Sequence, residues 1–252
     1  MKKLTLFLSL LIISGFLQAQ DLSGKEIMKR SDQKLRGLSN KTVMSMTIER
    51  PSWSRTITMK SWSKGQKFSL VLITAPAKEK GQTFLKREND MWNWIPQISR
   101  MIKLPPSMMS QGWMGSDYSN DDILKESSIV NDYNHTILGS EEYEGIDCYK
   151  LQLIPKQDAA VIWGKIIKII SKEDFLQLKT LYYDEEDFLI KTELSSNIKL
   201  MDDRKIPTHI EIIPNDKKGH KTILEIISTD FNINVNDSFF SQQNMKRAER
   251  LK

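Results

Sequence analysis

Residues 42 to 60, TVMSMTIERPSWSRTITMK, alternate large apolar and polar side chains, and that period of two decides the fold class. Successive side chains of a strand point to opposite faces, so Met44, Met46 and Ile48 share one face while Ser45, Thr47 and Glu49 share the other. A second run through Trp53, Arg55, Ile57 and Met59 repeats the pattern, and a third through Phe68, Leu70 and Leu72 follows the turn Ser63-Lys64-Gly65-Gln66. Three strands joined by short links pair antiparallel by default.

Working outward from these strands, the same reading gives strands over Gln82 to Lys86, Met91 to Ile95 and Ser99 to Leu104. In the second half it gives His135 to Ser140, Asp147 to Leu153, Lys179 to Tyr183, Phe188 to Leu200, Pro207 to Ile213 and Thr222 to Asn232. Asp184 to Asp187 and Asn215 to Gly219 carry the turn residues between them. Residues 161 to 176, VIWGKIIKIISKEDFL, suit a strand or an amphipathic helix, and their β-branching favours strand. Upstream, Ser23 caps a helix that runs to about Leu38, with Gly37 near its end, and Ser119 or Asn120 caps a short one through Leu124. About ten or more antiparallel strands with a few helices make a mainly β fold. Such a sheet must curl or close on itself, and its concave side needs a cover of helices or of a guest. No repeat or low-complexity linker marks a boundary, so residues 21–252 read as one domain.

Lys2 and Lys3 precede an apolar run of 14 residues from Leu4 to Leu17, which ends in Gln18-Ala19-Gln20. That is the pattern of a secretory signal over residues 1–20, too short for a membrane span of ~20 residues. No cysteine follows it, which leaves no site for a lipid anchor, so the expectation is a soluble protein delivered across the inner membrane to the periplasm. Removing Lys2 and Lys3 lowers the formal net charge from +5 to +3. With no long basic block, nucleic acid is not an expected partner. The basic tail at Lys246, Arg247, Arg250 and Lys252 reads as a solvated helix end.

Chemistry-bearing residues are sparse. Cys148 is the one cysteine and lies in an alternating run, which reads as a buried small hydrophobe; His135, His209 and His220 are scattered without ligand spacing. No metal or cofactor is expected. Asp117, Asp121 and Asp122, or Glu141 and Glu142, are the candidate carboxylate pairs for acid–base work. Acids at a helix start or hairpin turn are more often structural, and no nucleophile accompanies these, so the chain does not read as an enzyme.

The large apolar side chains are unevenly spread. Eight of the twelve methionines lie between Met44 and Met114, and five of the six tryptophans between Trp53 and Trp113. Methionine adapts to varied apolar partners, whereas a uniquely packed core favours leucine, isoleucine and valine. Trp92 and Trp94 stand on one face of their strand and Met91 and Ile95 on the other, so both faces want cover. The loop that follows is polar and turn-rich yet carries Met108, Met109, Trp113, Met114 and Tyr118, an arrangement suited to folding back as that cover, with Gly112 and Gly115 letting it move.

The run Trp92-Asn93-Trp94-Ile95-Pro96, Arg100, Leu104-Pro105 and Trp113-Met114-Gly115-Ser116-Asp117-Tyr118-Ser119-Asn120-Asp121-Asp122, with the ending Asp237-Ser238-Phe239-Phe240, resembles the outer-membrane lipoprotein-sorting family, the LolA-like periplasmic carriers. The resemblance implies an incomplete antiparallel β-barrel with helices against its concave face and a hydrophobic cavity for acyl chains. It also implies an ABC- or RND-type inner-membrane transporter as donor, an outer-membrane acceptor, and an inward arginine on an early strand, for which Arg50 and Arg55 are the candidates. On this reading Met44, Met46, Ile57, Met59, Met91, Trp92, Trp94 and Ile95 form cavity wall, and Met108, Met109, Trp113, Met114 and Tyr118 a mobile lid. The alternatives are a non-carrying subunit of an envelope transporter or assembly, with the Met/Trp loop as a protein interface, and a lipid-modifying hydrolase.

Overall fold

The computed structural model describes residues 22–125, 129–159 and 161–251. The signal segment expected over residues 1–20 lies outside them. Helix α1 (Gly24–Arg36) leads into β1 (Ser39–Arg50), β2 (Trp53–Lys64), β3 (Phe68–Ala75), β4 (Thr83–Arg87), β5 (Asp90–Ile95) and β6 (Arg100–Lys103). A long connection holding α2 (Asn120–Lys125) precedes β7 (Tyr133–Tyr143), β8 (Ile146–Pro155), β9 (Lys165–Ser171), β10 (Gln177–Tyr183), β11 (Leu189–Met201), β12 (Arg204–Pro214) and β13 (Lys221–Phe231). A one-turn helix, α3 (Gln242–Met245), lies in the C-terminal segment.

The thirteen strands form one antiparallel sheet in the order β6-β5-β4-β3-β2-β1-β13-β12-β11-β10-β9-β8-β7. Consecutive strands are neighbours everywhere except at β6 and β7. The first and last strands pair in the middle, Met46 opposite Leu224, and the consecutive strands β6 and β7 are the two free edges. The result is an incomplete barrel. Irregularities at Val43/Met44, Thr58/Met59, Ile137/Gly139 and Tyr182/Tyr183 add local bend and twist, which is how a sheet this wide curls.

Local signals explain the helix. Ser23 Oγ accepts from the Glu26 backbone N–H at 3.2 Å, and Gly37, at φ 63°, stops the helix at Arg36, two residues short of the expected end. Its buried residues Ile27 and Met28 pack with Leu151, Leu153, Ile166 and Ile170 of β8 and β9, so α1 fills the concave side of the second half. The ambiguous stretch 161–176 resolves into β9, as its β-branching suggests.

The strands of the first half are apolar on both faces, each with a different cover. On the concave face Met46, Ile48, Ile57, Met59, Ile73 and Phe84 gather around Trp113. On the convex face Trp62, Leu70, Leu72 and Leu85 gather under Phe240, Met245 and Ala248 of the C-terminal segment. Phe240 stacks on Phe68 at 5.5 Å and meets Phe239 at 5.2 Å. The tail is therefore more than a solvated end: Lys246, Arg247 and Arg250 are exposed, but Phe240, Met245 and Ala248 beside them seal the outer face.

Candidate functional site

A cavity of about 320 Å³ lies on the concave side between α1, the sheet and the loop after β6. Its apolar wall includes Met44, Met59, Val71, Leu224 and Ile226, with Trp113, Tyr118 and Ile123 contributed by the loop and α2. The register explains this convergence, because Met44 faces Met59 across β1 and β2 and Ile226 across β1 and β13. The volume is about twice the ~150 Å³ apolar cavity that takes a benzene ring, and it lies at the low end of ligand pockets. A polar strip runs along the β9 to β11 side. Lys168 stands opposite Thr180, which stands opposite Glu193, and Lys168 Nζ donates to Thr180 Oγ1 at 3.2 Å.

The loop closes over the cavity by burying one aromatic ring and fastening the chain on both sides of it. Trp113 packs edge-on against Phe84 at 5.4 Å. Arg50 Nη1 donates to Asp117 Oδ2 at 3.1 Å and Arg50 Nη2 to the Gly115 carbonyl at 2.8 Å. Thr222 Oγ1 donates to the same Asp117 oxygen at 2.7 Å and accepts from the Asp117 backbone N–H. Arg55 donates to the Met114 carbonyl and, at 3.2 Å, to Glu79. Both candidate arginines thus hold the loop, and neither is among the residues that line the cavity.

The other fastening comes from β11. Lys191 Nζ donates to Asp122 Oδ2 at 2.8 Å, and the Trp163 indole N–H donates to Asp122 Oδ1 at 3.0 Å. The lysine lies among the rings of Tyr182, Trp163 and Tyr118, at 4.7, 4.9 and 5.1 Å from their centroids. Tyr118 OH donates to Glu193 Oε2 at 3.0 Å. Removing one member of a buried ion pair leaves the other uncompensated, so the Arg50–Asp117 and Lys191–Asp122 pairs fix the loop in place. Two of the acids considered for catalysis, Asp117 and Asp122, are therefore latches. Glu141 forms a surface pair with Lys150 at 2.9 Å, Glu142 is exposed, and the Asp121 side chain lies outside the described residues.

The Trp113 indole N–H is buried with no acceptor among the described residues, which costs about 1–3 kcal/mol of desolvation. The glycines serve the turn more than its mobility. A Cβ on Gly112 would lie 2.7 Å from the Ser116 carbonyl oxygen, and Gly115 sits at φ +79°.

The expected wall residues divide into three groups. Met44 and Met59 line the cavity, while Met46 and Ile57 are fully buried beside them under Trp113. Met91 and Ile95 lie on the same face of β5, away from the cavity, with Met91 opposite Lys86. Trp92 and Trp94 are a correction: they pack on the convex cluster with Phe240 and Met245, since Trp92 faces Leu85 across the β4–β5 ladder and shares its side. Of the expected lid, Trp113 and Tyr118 are buried and reach the cavity, Met114 packs on the concave cluster, and Met108 and Met109 are half-buried, with Met109 facing a groove outside. The sequence reading missed Lys168, Lys191 and Glu193. Continuing the period of two along β9 and β11 would have marked them as polar residues at inward positions.

Cys148 is fully buried on the convex side with Ile167, Ile169 and Leu176, and burial pushes its thiol pKa up, as suits an inert side chain. Among the described residues, no group of three or more His, Cys, Asp or Glu could hold a metal ion, and no helix is long and apolar enough to cross a membrane.

An open antiparallel barrel with α1 and a fastened loop over a concave cavity defines the LolA-like fold. Residues 65–247 match the model of a family described as "Uncharacterized protein", and the chain belongs to that family. It is similar to a crystal structure of a DUF1329 family protein from Desulfovibrio piger, with TM-score 0.79 and 25% identity over 88% of this chain and 97% of that one. It is also similar to a candidate outer membrane lipoprotein-sorting protein domain from Vibrio parahaemolyticus, with TM-score 0.77 and 22% identity over 89% and 98%. A LolA superfamily protein from Nitrosomonas europaea gives TM-score 0.75 and 24% identity over 88% and 99%. No curated protein matches the chain.

Proposed function

We propose that the protein is a periplasmic carrier that shields acyl chains of lipoproteins or other lipids and moves them from an inner-membrane transporter of the ABC or RND type to an outer-membrane acceptor. The observation that carries this reading is the concave cavity, with an apolar wall on β1 to β3 and β13, under a loop held by polar latches. Transferring a ~16-carbon chain into water costs on the order of 10 kcal/mol at ~0.8 kcal/mol per methylene, so a lipidated cargo needs such shelter to cross an aqueous gap. The likeness to lipoprotein-sorting and LolA superfamily structures supports the same reading. The carrier acts by binding and release, without covalent chemistry or a cofactor. The alternative, a transporter subunit that uses the Met/Trp loop as a protein interface, has less support because Trp113 is turned inward and buried.

Native mass spectrometry of the protein purified from cell envelopes, followed by lipid extraction, tests the proposal. The expected result is a bound species of lipid mass that a labelled fatty acyl chain displaces. A protein that is always empty and binds no labelled acyl chain overturns it.

A further inference from the structure

The cavity has a second boundary, away from the loop. Asp32 and Arg36, one turn apart on α1, line the 320 Å³ cavity and also a neighbouring surface groove of about 430 Å³. Arg36 Nε donates to Asp32 Oδ1 at 2.8 Å, and Gln66 Nε2, from the β2–β3 turn, donates to Asp32 Oδ2 at 3.2 Å. Asp32 and Arg36 form the partition between the two spaces, and Gln66 holds Asp32 from the groove side. The groove beyond it is lined by Lys25, Lys29 and Arg36 from one flank of α1, with Leu38 and Val130 among its apolar members. Lys25 and Lys29 are exposed, and neither has a carboxylate partner among the described residues. Among the described residues Asp32 is the one acid lining that groove, and it is already engaged.

We propose that this groove is the headgroup site of the carrier: it takes the anionic head of a single-tailed amphiphile, a phosphate or a carboxylate, whose hydrocarbon tail enters the cavity past Asp32 and Arg36. The inference rests on the carrier reading and adds the class of cargo. Two observations support it independently. Lys25 and Lys29, which have no carboxylate partner among the described residues, lie at the groove that shares a wall with the cavity, so one molecule can satisfy both spaces. The cavity, of about 320 Å³, gives a hydrocarbon chain room beside that groove with the loop in place. The gate has a chemical rationale as well. Arg36 is held by a carboxylate, so an arriving anion competes with Asp32 for the same guanidinium and loosens the partition as it docks. A neutral head offers no such exchange.

The test compares dodecyl phosphate with the neutral 1-monolauroylglycerol, both below their micelle concentrations, by calorimetry on the mature chain. Dodecyl phosphate should bind roughly tenfold tighter than the neutral ester at low salt, and the preference should shrink as salt screens the lysines. The double charge reversal Lys25→Glu with Lys29→Glu, at exposed positions, should abolish the preference and leave the neutral ester's affinity unchanged. Equal affinities for both probes, or a preference that survives the reversal, overturn the headgroup site while leaving the carrier intact. Binding of neither probe to the wild-type chain overturns both.

Discussion

Strands β2 to β4 carry an apolar patch on each face, and the two patches are covered in opposite ways. The convex patch, Trp62, Leu70, Leu72 and Leu85, is sealed by Phe240 and Met245, with aromatic ring contacts continuing from Trp62 to Phe239, Phe240 and Phe68. The concave patch is covered by a loop in which one tryptophan makes the deep contact and charged side chains do most of the fastening. A cover of rings fits one surface and stays. A cover held by ion pairs and hydrogen bonds exchanges its partners with water when released, so it separates from an oily surface at lower cost than a packed lid would. The first cover is structural, and the second suits a site that fills and empties.

The sharpest way to break this contrast is Phe240→Ala. It should cost about 3–5 kcal/mol and lower the melting temperature by roughly 10 °C, with acyl-chain affinity unchanged; a large loss of binding in folded variant would mean that the convex cover is also part of the site. Arg50→Ala should cost less, about 2 kcal/mol, and locally. Hydrogen exchange of residues 112–119 should quicken roughly 30-fold while the β8–β9 core keeps its protection, and uniform loss of protection would refute a separate latch.

A smaller effect is expected from replacing Met44 and Met59 together by leucine. Stability should change by under ~1.5 kcal/mol, but binding of acyl chains of different length should become more selective as the wall loses its adaptability, read from the affinities of a chain-length series. Smallest is a pH effect on the outer surface. Hydrogen bonds to Glu225 and Glu211 raise the His209 pKa above its ordinary 6.5. The protonated ring therefore stabilises the fold fully below that value, and the contribution is lost as pH rises through the raised one. Denaturation midpoints of the wild type minus His209→Asn should fall between pH 5.5 and pH 8.5. The subtraction isolates His209 from His135, whose pKa burial lowers.

Much of the sheet was legible because a half-buried strand writes its two faces into alternate residues, and α1 because Ser23 and Gly37 mark its ends. The period does not say which face is concave. Trp92 and Trp94 announced an apolar face on β5 correctly, but only the pairing of β4 with β5 and the return of the tail assign it to the outside. The C-terminal cover was hidden for a different reason. Val235, Phe239, Phe240 and Met245 follow no helical or strand period, so nothing local marks them as a lid. The latches were also illegible, since Arg50 and Asp117 lie 67 residues apart and Asp122 and Lys191 lie 69 apart. Ion pairs at such separations are created by the fold, and nothing in the sequence around either partner names the other.

The unpaired edges β6 and β7 have a further mechanical consequence. A closed barrel has a fixed girth, because widening it means tearing backbone ladder bonds along a whole strand. Among the described residues no ladder spans the gap between the first and last staves, so its radius can grow by changing twist alone. The resistance to swelling then resides in side chains that bridge the seam, which makes capacity something that point substitutions can tune without unravelling the wall.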